Sequence, residues 1–240
     1  MQNYCKTIGA IATATALVAG TALAEVEYEI HAGYSSEYIF RGVEQGDDLV
    51  EVGVDMATEW NGLGLSAGAW YGSFSNSSAA APAGQVQLEE LDIYGEVSKD
   101  LGFATFGVGY IYYMNDSNLG DDAQEVYFSL SREFFGIDAS LTYFADIETD
   151  NDGYLELGLS KGFELSPCLT LNTGAAFGYL AEQGQLGHIT ARVALDWAFT
   201  ETATLSPFVA HTWSTGDDND TAYQNTGNEF IAGTMLSVSF

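Results

Sequence analysis

Three groups of residues in this chain carry side chains capable of chemistry. The first is a series of carboxylates at even spacing, Glu51 and Asp55, Asp92 and Glu96, then Glu125, Asp138, Glu156 and Asp196, accompanied by two basic residues, Arg41 and Arg192. Carboxylates gathered on one face attract cations and disfavour one another's ionisation, which is the chemistry of a cation path or of ion pairing. The second is His188 with Thr190. Alternate residues of an extended chain point to the same side, so an imidazole and a hydroxyl meet there, the minimum for nucleophilic catalysis. Neither a G-x-S-x-G turn nor a His-x-Ser-Asn-Gly run accompanies the pair, so no catalytic residue is assigned and a polar lining is the expectation. The third is Glu148, Asp150, Asp152 and Gly153, which imitate the first half of a calcium loop. The position that needs a bidentate Glu is Leu159, so no metal site is assigned, and no cofactor either.

Charge narrows the classes of partner. The chain has 34 acidic and 6 basic residues, a formal charge of −28, and this excludes nucleic acid. Aromatic residues at 13% against 17% charged exclude disorder. Residues 1–24 read as a signal peptide, with Lys6 ahead of an apolar run from Ile8 to Gly20 and Ala22-Leu23-Ala24 as the cleavage site, so the functional domain is expected over 25–240. Cys5 leaves with the signal. Cys168 then stands alone, and no disulfide or Cys/His metal spacing is expected.

The elements that must position these groups follow from a period of two. Val26, Tyr28, Ile30, Ala32 and Tyr34 alternate with Glu27, Glu29, His31, Gly33 and Ser35; Val50, Val52, Val54 and Met56 alternate with Glu51, Gly53, Asp55 and Ala57. Strands with one apolar and one polar or small face recur to the end of the chain, and they predict an all-β, antiparallel transmembrane barrel of about 12 strands, with 10 or 14 as alternatives. The phase of the segment around Pro207 stays open: Val209 and Trp213 favour one face, Phe208 and Ala210 the other. Asn61-Gly62 is a favoured hairpin turn, and tight connections alternate with longer polar ones, the pattern of periplasmic turns and external loops. The chemistry-bearing carboxylates all fall in the inward phase, together with Arg41 and Arg192.

The outward phase carries the expected interfacial anchors: Trp60, Trp197 and Phe240 at the turn side with Lys99, Arg132 and Lys161, and tyrosines toward the loop side. Long cationic side chains there reach lipid headgroups. Outer-membrane lipid and lipopolysaccharide are thus the expected partners, with loose divalent cations bridging external acids such as Asp121, Asp122, Asp217, Asp218 and Asp220. Phe230 to Phe240 resembles the C-terminal signature read by the barrel-assembly machinery. A soluble β-sandwich also alternates, yet it gives no reason for paired girdles.

Gly33-Tyr34-Ser35-Ser36-Glu37-Tyr38-Ile39-Phe40-Arg41-Gly42, with Gln45 beyond, resembles the N-terminal signature of the Gcw-chp family of conserved hypothetical exported proteins of Gram-negative bacteria. Family members usually have Asp where this chain has Glu37 and Ser where it has Glu44, and the similarity extends weakly through the second and third strands. The resemblance implies an exported outer-membrane protein and carries no activity. Arg41 shares the inward phase with Glu37, and ion pairing that fixes loop to wall is its simplest role, with an anion site as the alternative.

The expected function is a porin-like barrel in the outer membrane, passing ions or small hydrophilic solutes with a preference for cations. A non-conducting structural or surface-interaction barrel is the alternative, and an outer-membrane hydrolase the weaker one. Inward glycines such as Gly64, Gly68, Gly107, Gly109, Gly158, Gly174 and Gly178 argue for an open lumen, whereas inward Trp70 and Tyr94 argue for partial filling.

Overall fold

The computed structural model describes residues 26–76, 86–116, 120–148, 153–215 and 228–240. The signal peptide, and the loop acids Asp150, Asp152, Asp217, Asp218 and Asp220, lie outside them.

Twelve strands form one closed antiparallel barrel: β1 (Glu27–Phe40), β2 (Val43–Trp60), β3 (Leu63–Asn76), β4 (Val86–Asp100), β5 (Thr105–Asn115), β6 (Ala123–Phe134), β7 (Ile137–Asp146), β8 (Tyr154–Ser166), β9 (Leu169–Leu180), β10 (Gln185–Ala198), β11 (Ala203–Ser214) and β12 (Glu229–Ser239). Each strand pairs with its sequence neighbours, and β1 closes on β12 from Glu29↔Ser239 to Ser35↔Gly233. Closure satisfies every ladder without leaving an edge, which is what a strand needs in hydrocarbon.

Alternation sorts the two faces. Along β2, Val50, Val52, Val54 and Met56 are exposed on the outside while Leu49 is buried. Outward apolar residues on every strand, among them Ile93, Phe128, Leu157 and Val193, make a belt that water could not solvate, and it reads as the lipid contact of an outer-membrane barrel. Trp60, Trp197 and Phe240 project from its turn-side rim. Lys99 stands on the same rim and donates through Nζ to the Gly62 carbonyl at 2.6 Å; Arg132 and Lys161 lie over the Phe134 and Phe163 rings at 6.0 and 5.5 Å.

The face left open around Pro207 is resolved. Val209 and Trp213 point outward, and Phe208 points inward under the Arg192 guanidinium at 4.2 Å. Pro207 has no N–H, and the β10–β11 register steps from Ala194↔Phe208 to Trp197↔Leu205 with the pairs between them missing. The side chains of Asp196 and Ser206 hydrogen-bond across this gap. Outside it, a shallow apolar groove is lined by Leu169, Leu195, Trp197, Leu205 and Pro207.

Three strands run farther than the alternation predicts. β8 continues to Ser166 through a register shift at Glu164/Ser166, so the tight turn is Pro167-Cys168 instead of starting at Gly162. At the other end, β1 and β2 continue beyond Ser35 and before Val50 as a hairpin that departs from the wall, tied to β3 at Asp47↔Ser75.

Candidate functional site

The hairpin is built by the segment from Ser35 to Leu49. β1 is paired with β12 only as far as Ser35↔Gly233, after which the Ser36 hydroxyl accepts the Ala232 amide at 3.0 Å and the strand departs from the wall. Register shifts at Tyr38/Ile39 and between Asp47 and Val50, with Asp48 at φ 55°, bend the two strands together. From Glu37↔Asp47 to Phe40↔Val43 they pair with each other. Arg41 and Gly42 close the hairpin with φ of 49° and 81°, the same two-residue geometry, positive at both centres, that Asn61-Gly62 and Phe135-Gly136 adopt at the turn side. An arginine held in the left-handed region is uncommon and persists because its surroundings hold it.

Contacts show that the hairpin enters the lumen. A side chain touching a strand two or more places away can do so only from inside a closed barrel. Tyr38 on β1 donates to Glu90 on β4 at 3.1 Å and packs on Trp70 and Phe74 of β3. Arg41 reaches the far wall, where its Nη1 and Nη2 donate to Oε1 and Oε2 of Glu125 on β6, each at 2.7 Å. Its guanidinium lies 4.4 Å from the Phe144 ring centre on β7 and 4.5 Å from that of Tyr154 on β8. Gly42 rests on His188 of β10: a Cβ there would come within 2.5 Å of the imidazole Cβ and Cγ. The tip therefore spans the bore from β1 and β2 to β6, β8 and β10.

Two layers of side chains seat it. On the near wall Leu49, Phe74 and Leu88 are buried against Tyr38 and Trp70, an apolar cluster inside the barrel. This departs from the expectation of a polar or glycine-rich inner face on every strand. Those three residues are inward and apolar because the hairpin, not water, covers them. On the far wall, Tyr113 donates to Glu125 Oε2 at 2.9 Å and Tyr154 Oη stands 2.8 Å from both Glu156 and His188 Nε2. His188 Nδ1 lies 3.2 Å from the Thr190 hydroxyl, which in turn meets Thr212 at 2.9 Å. Both imidazole nitrogens are thus engaged, Thr212 is fully buried, and the network lies beneath Gly42.

Below the hairpin Glu51, Asp55, Glu96 and Asp196 are each held by a neighbour. Trp70 Nε1 donates to Glu51 at 2.7 Å; Tyr94 donates to Asp55 at 2.6 Å, with His31 Nδ1 3.3 Å from the same carboxylate. Ser129 donates to Glu96 at 3.2 Å, and Asn172 to Asp196 at 2.5 Å. Asp92 sits across the ladder from Trp70, close to Glu90, with one oxygen buried and without a hydrogen bond. Asp138 is exposed near the turn end, opposite Ser160. Arg41 pairs with Glu125, and Arg192 on β10 interacts electrostatically with Asp196 and Glu51.

Four of the inward glycines lie under neighbouring side chains. A Cβ on Gly68 would fall 2.6 Å from the Tyr94 ring and Asp55, and one on Gly107 the same distance from the Glu96 carboxyl carbon; Gly109 is covered by Tyr127 and Gly178 by His188. Each of these glycines is the recess in which a neighbour's large side chain lies flat on the wall.

Over residues 19–238 the chain matches a family of bacterial proteins of unknown function, Gcw_chp. The chain belongs to the Gcw_chp family. No curated protein matches the chain in sequence. Among solved structures, this Gcw_chp barrel is similar to the COG4313 outer membrane channel from Pseudomonas putida F1, at 11% identity and a TM-score of 0.57, covering 92% of this chain and 97% of that one. The KdgM porin matches at 10% identity and a TM-score of 0.50, covering 88% and 99%. Outer membrane phospholipase A from Escherichia coli matches at 16% identity and 0.51, covering 89% and 90%. Such distant likenesses establish the outer-membrane barrel fold that this Gcw_chp member shares with channels and an enzyme alike.

Proposed function

We propose that this Gcw_chp protein is a narrow outer-membrane channel for ions and small hydrophilic solutes, selective for cations, with the Tyr38–Gly46 hairpin as its constriction. The observation that carries the reading is the excess of fixed carboxylates below the hairpin. Arg41 compensates Glu125 and Arg192 faces Asp196 and Glu51, but Asp55 and Glu96 are held by neutral donors or a histidine and the inward carboxylates outnumber the two arginines, so the bore keeps a negative field that cations follow. The similarity to channels and porins is consistent with this. Catalysis is not part of the reading, because the His188–Thr190 pair lies beneath Gly42 and against the fully buried Thr212, covered by the hairpin tip.

A second reading, a non-conducting structural barrel, is favoured by the apolar seat of Leu49, Phe74 and Leu88, which makes the hairpin a well-packed plug. Planar-bilayer recording under a salt gradient separates the two. The channel reading expects discrete conductance with a reversal potential of cationic sign; silence of a folded, heat-modifiable protein would establish the plug.

A further inference from the structure

The surroundings of Arg41 form a site with two separable halves. One half travels with the hairpin: Arg41 itself and Phe40, whose ring lies 4.8 Å from the guanidinium. The other belongs wholly to the wall, with Tyr113 on β5, Glu125 on β6, Phe144 on β7 and Tyr154 on β8. The wall half keeps its geometry through partners of its own. Tyr113 donates to Glu125, Tyr154 is held by Glu156 and His188, and Phe144 packs against Tyr127 at 5.5 Å. None of these bonds involves the hairpin.

This wall half has the recognition chemistry of a planar, delocalised cation. Glu125 meets the guanidinium fork with both oxygens at 2.7 Å, and two ring centres stand 4.4 and 4.5 Å from its carbon. A fork of paired donors and a flat weakly hydrated face are properties of guanidinium, and a compact ammonium has neither. The hairpin that delivers Arg41 is joined to the wall through irregular backbone at Tyr38/Ile39 and Asp47 to Val50 and pairs with itself between them.

We propose that Glu125, Tyr113, Phe144 and Tyr154 form a binding site for the guanidinium group of a small solute, and that Arg41 is its tethered occupant. A solute guanidinium takes the site when the hairpin withdraws. Because a tether of this kind presents Arg41 at an effective concentration on the order of millimolar, a free solute competes with it only at comparable or higher concentration. The inference deepens the channel reading by naming a solute class, while the site itself does not depend on conductance.

The test uses the refolded barrel in detergent with methylguanidinium as probe and methylammonium as control. In Arg41→Ala the site is vacant, and calorimetric titration should show methylguanidinium binding at least about tenfold more tightly than methylammonium, given the preference of a carboxylate fork and ring faces for guanidinium. The unfolding midpoint, read by gel mobility, should rise with methylguanidinium. Wild type should bind far more weakly, and adding Glu125→Gln to Arg41→Ala should abolish binding. If Arg41→Ala does not fold, Arg41→Lys retains the charge and the stem without the fork, and methylguanidinium should displace its lysine. Equal binding of the two probes, equal binding by wild type and the Arg41 variant, or indifference to Glu125→Gln would overturn the proposal. In bilayers, methylguanidinium should reduce the current through Arg41→Ala. Binding by calorimetry without any conductance would leave the site intact and remove the channel reading, whereas conductance without binding would do the reverse.

Discussion

Arg41 and Glu125 stand 84 positions apart in sequence and on opposite sides of the bore, yet they meet through two parallel hydrogen bonds of 2.7 Å, with side chains only 17% and 9% exposed. The pair fastens the tip of a hairpin to the far wall of a barrel that backbone pairing alone would leave open. Breaking a buried pair by removing one partner costs about 3–5 kcal/mol, because the other charge is left uncompensated. Arg41→Met or Glu125→Gln alone should therefore destabilise the barrel by a large part of that amount, the neutral Gln less than the lost arginine. Arg41→Met combined with Glu125→Leu should recover most of the loss. Urea unfolding followed by tryptophan fluorescence measures this, and strictly additive effects would show that the two residues act independently.

Gly42 is restricted twice, by its φ of 81° and by the His188 side chain against which it lies. Gly42→Val should lift the tip off β10 and expose Arg41. Trypsin should then cut after Arg41 in the folded variant and leave the folded wild type whole at that bond; resistance of the variant would contradict the packing of the tip on His188.

Leu157 on β8 faces outward and pairs with Leu141 near the middle of β7. Leu157→Arg should impair insertion and folding into bilayers, at about 2–4 kcal/mol if the site is near the midplane. Gln183→Arg, in the exposed β9–β10 connection, should fold as the wild type does. Similar folding yields for the two would reverse the assignment of faces.

Glu51 and Asp55 are held by Trp70 and Tyr94 in the bore. Glu51→Gln and Asp55→Asn remove charge while keeping an oxygen that can accept these bonds, so the barrel should stay folded and its reversal potential under a salt gradient should move toward that of an unselective pore. An unchanged potential in a conducting double variant would place the selectivity elsewhere.

The outer face was legible because lipid imposes one rule on it: Val50, Val52, Val54 and Met56 can only be apolar, and a period of two reports that directly. The wall glycines misled, since Gly68 and Gly107 signal close approach by Tyr94 and Glu96 and say nothing of bore width. The hairpin was illegible because the period of two stops near Ser35 and resumes at Val50, and Tyr38-Ile39-Phe40 followed by Arg41 to Gly46 carries no alternation that would mark a strand or say where it goes. Two signals could have revealed it. Leu49, Phe74 and Leu88 are apolar in the inward phase near the loop end of successive strands, which requires something to cover them. Arg41-Gly42 between two extended runs is a turn with glycine at its second centre. The Arg41–Glu125 pair itself depends on barrel closure, which no local pattern encodes, whereas the signature from Gly33 to Gly42 marked the correct segment without its purpose.

The gap beside Pro207 gives this cylinder a seam. A closed sheet behaves as a hoop, in which each stave is held by the ladders on both sides and strain is shared around the circumference. Where the β10–β11 ladder lacks the pairs between Ala194↔Phe208 and Trp197↔Leu205, the hoop is tied by the side chains of Asp196 and Ser206 and by whatever hydrocarbon fills the apolar groove outside. Breathing of the wall then has a preferred place to begin, at the turn-side rim and away from the plugged end, and the amides flanking that seam are the ones from which solvent deuterium should first enter the barrel.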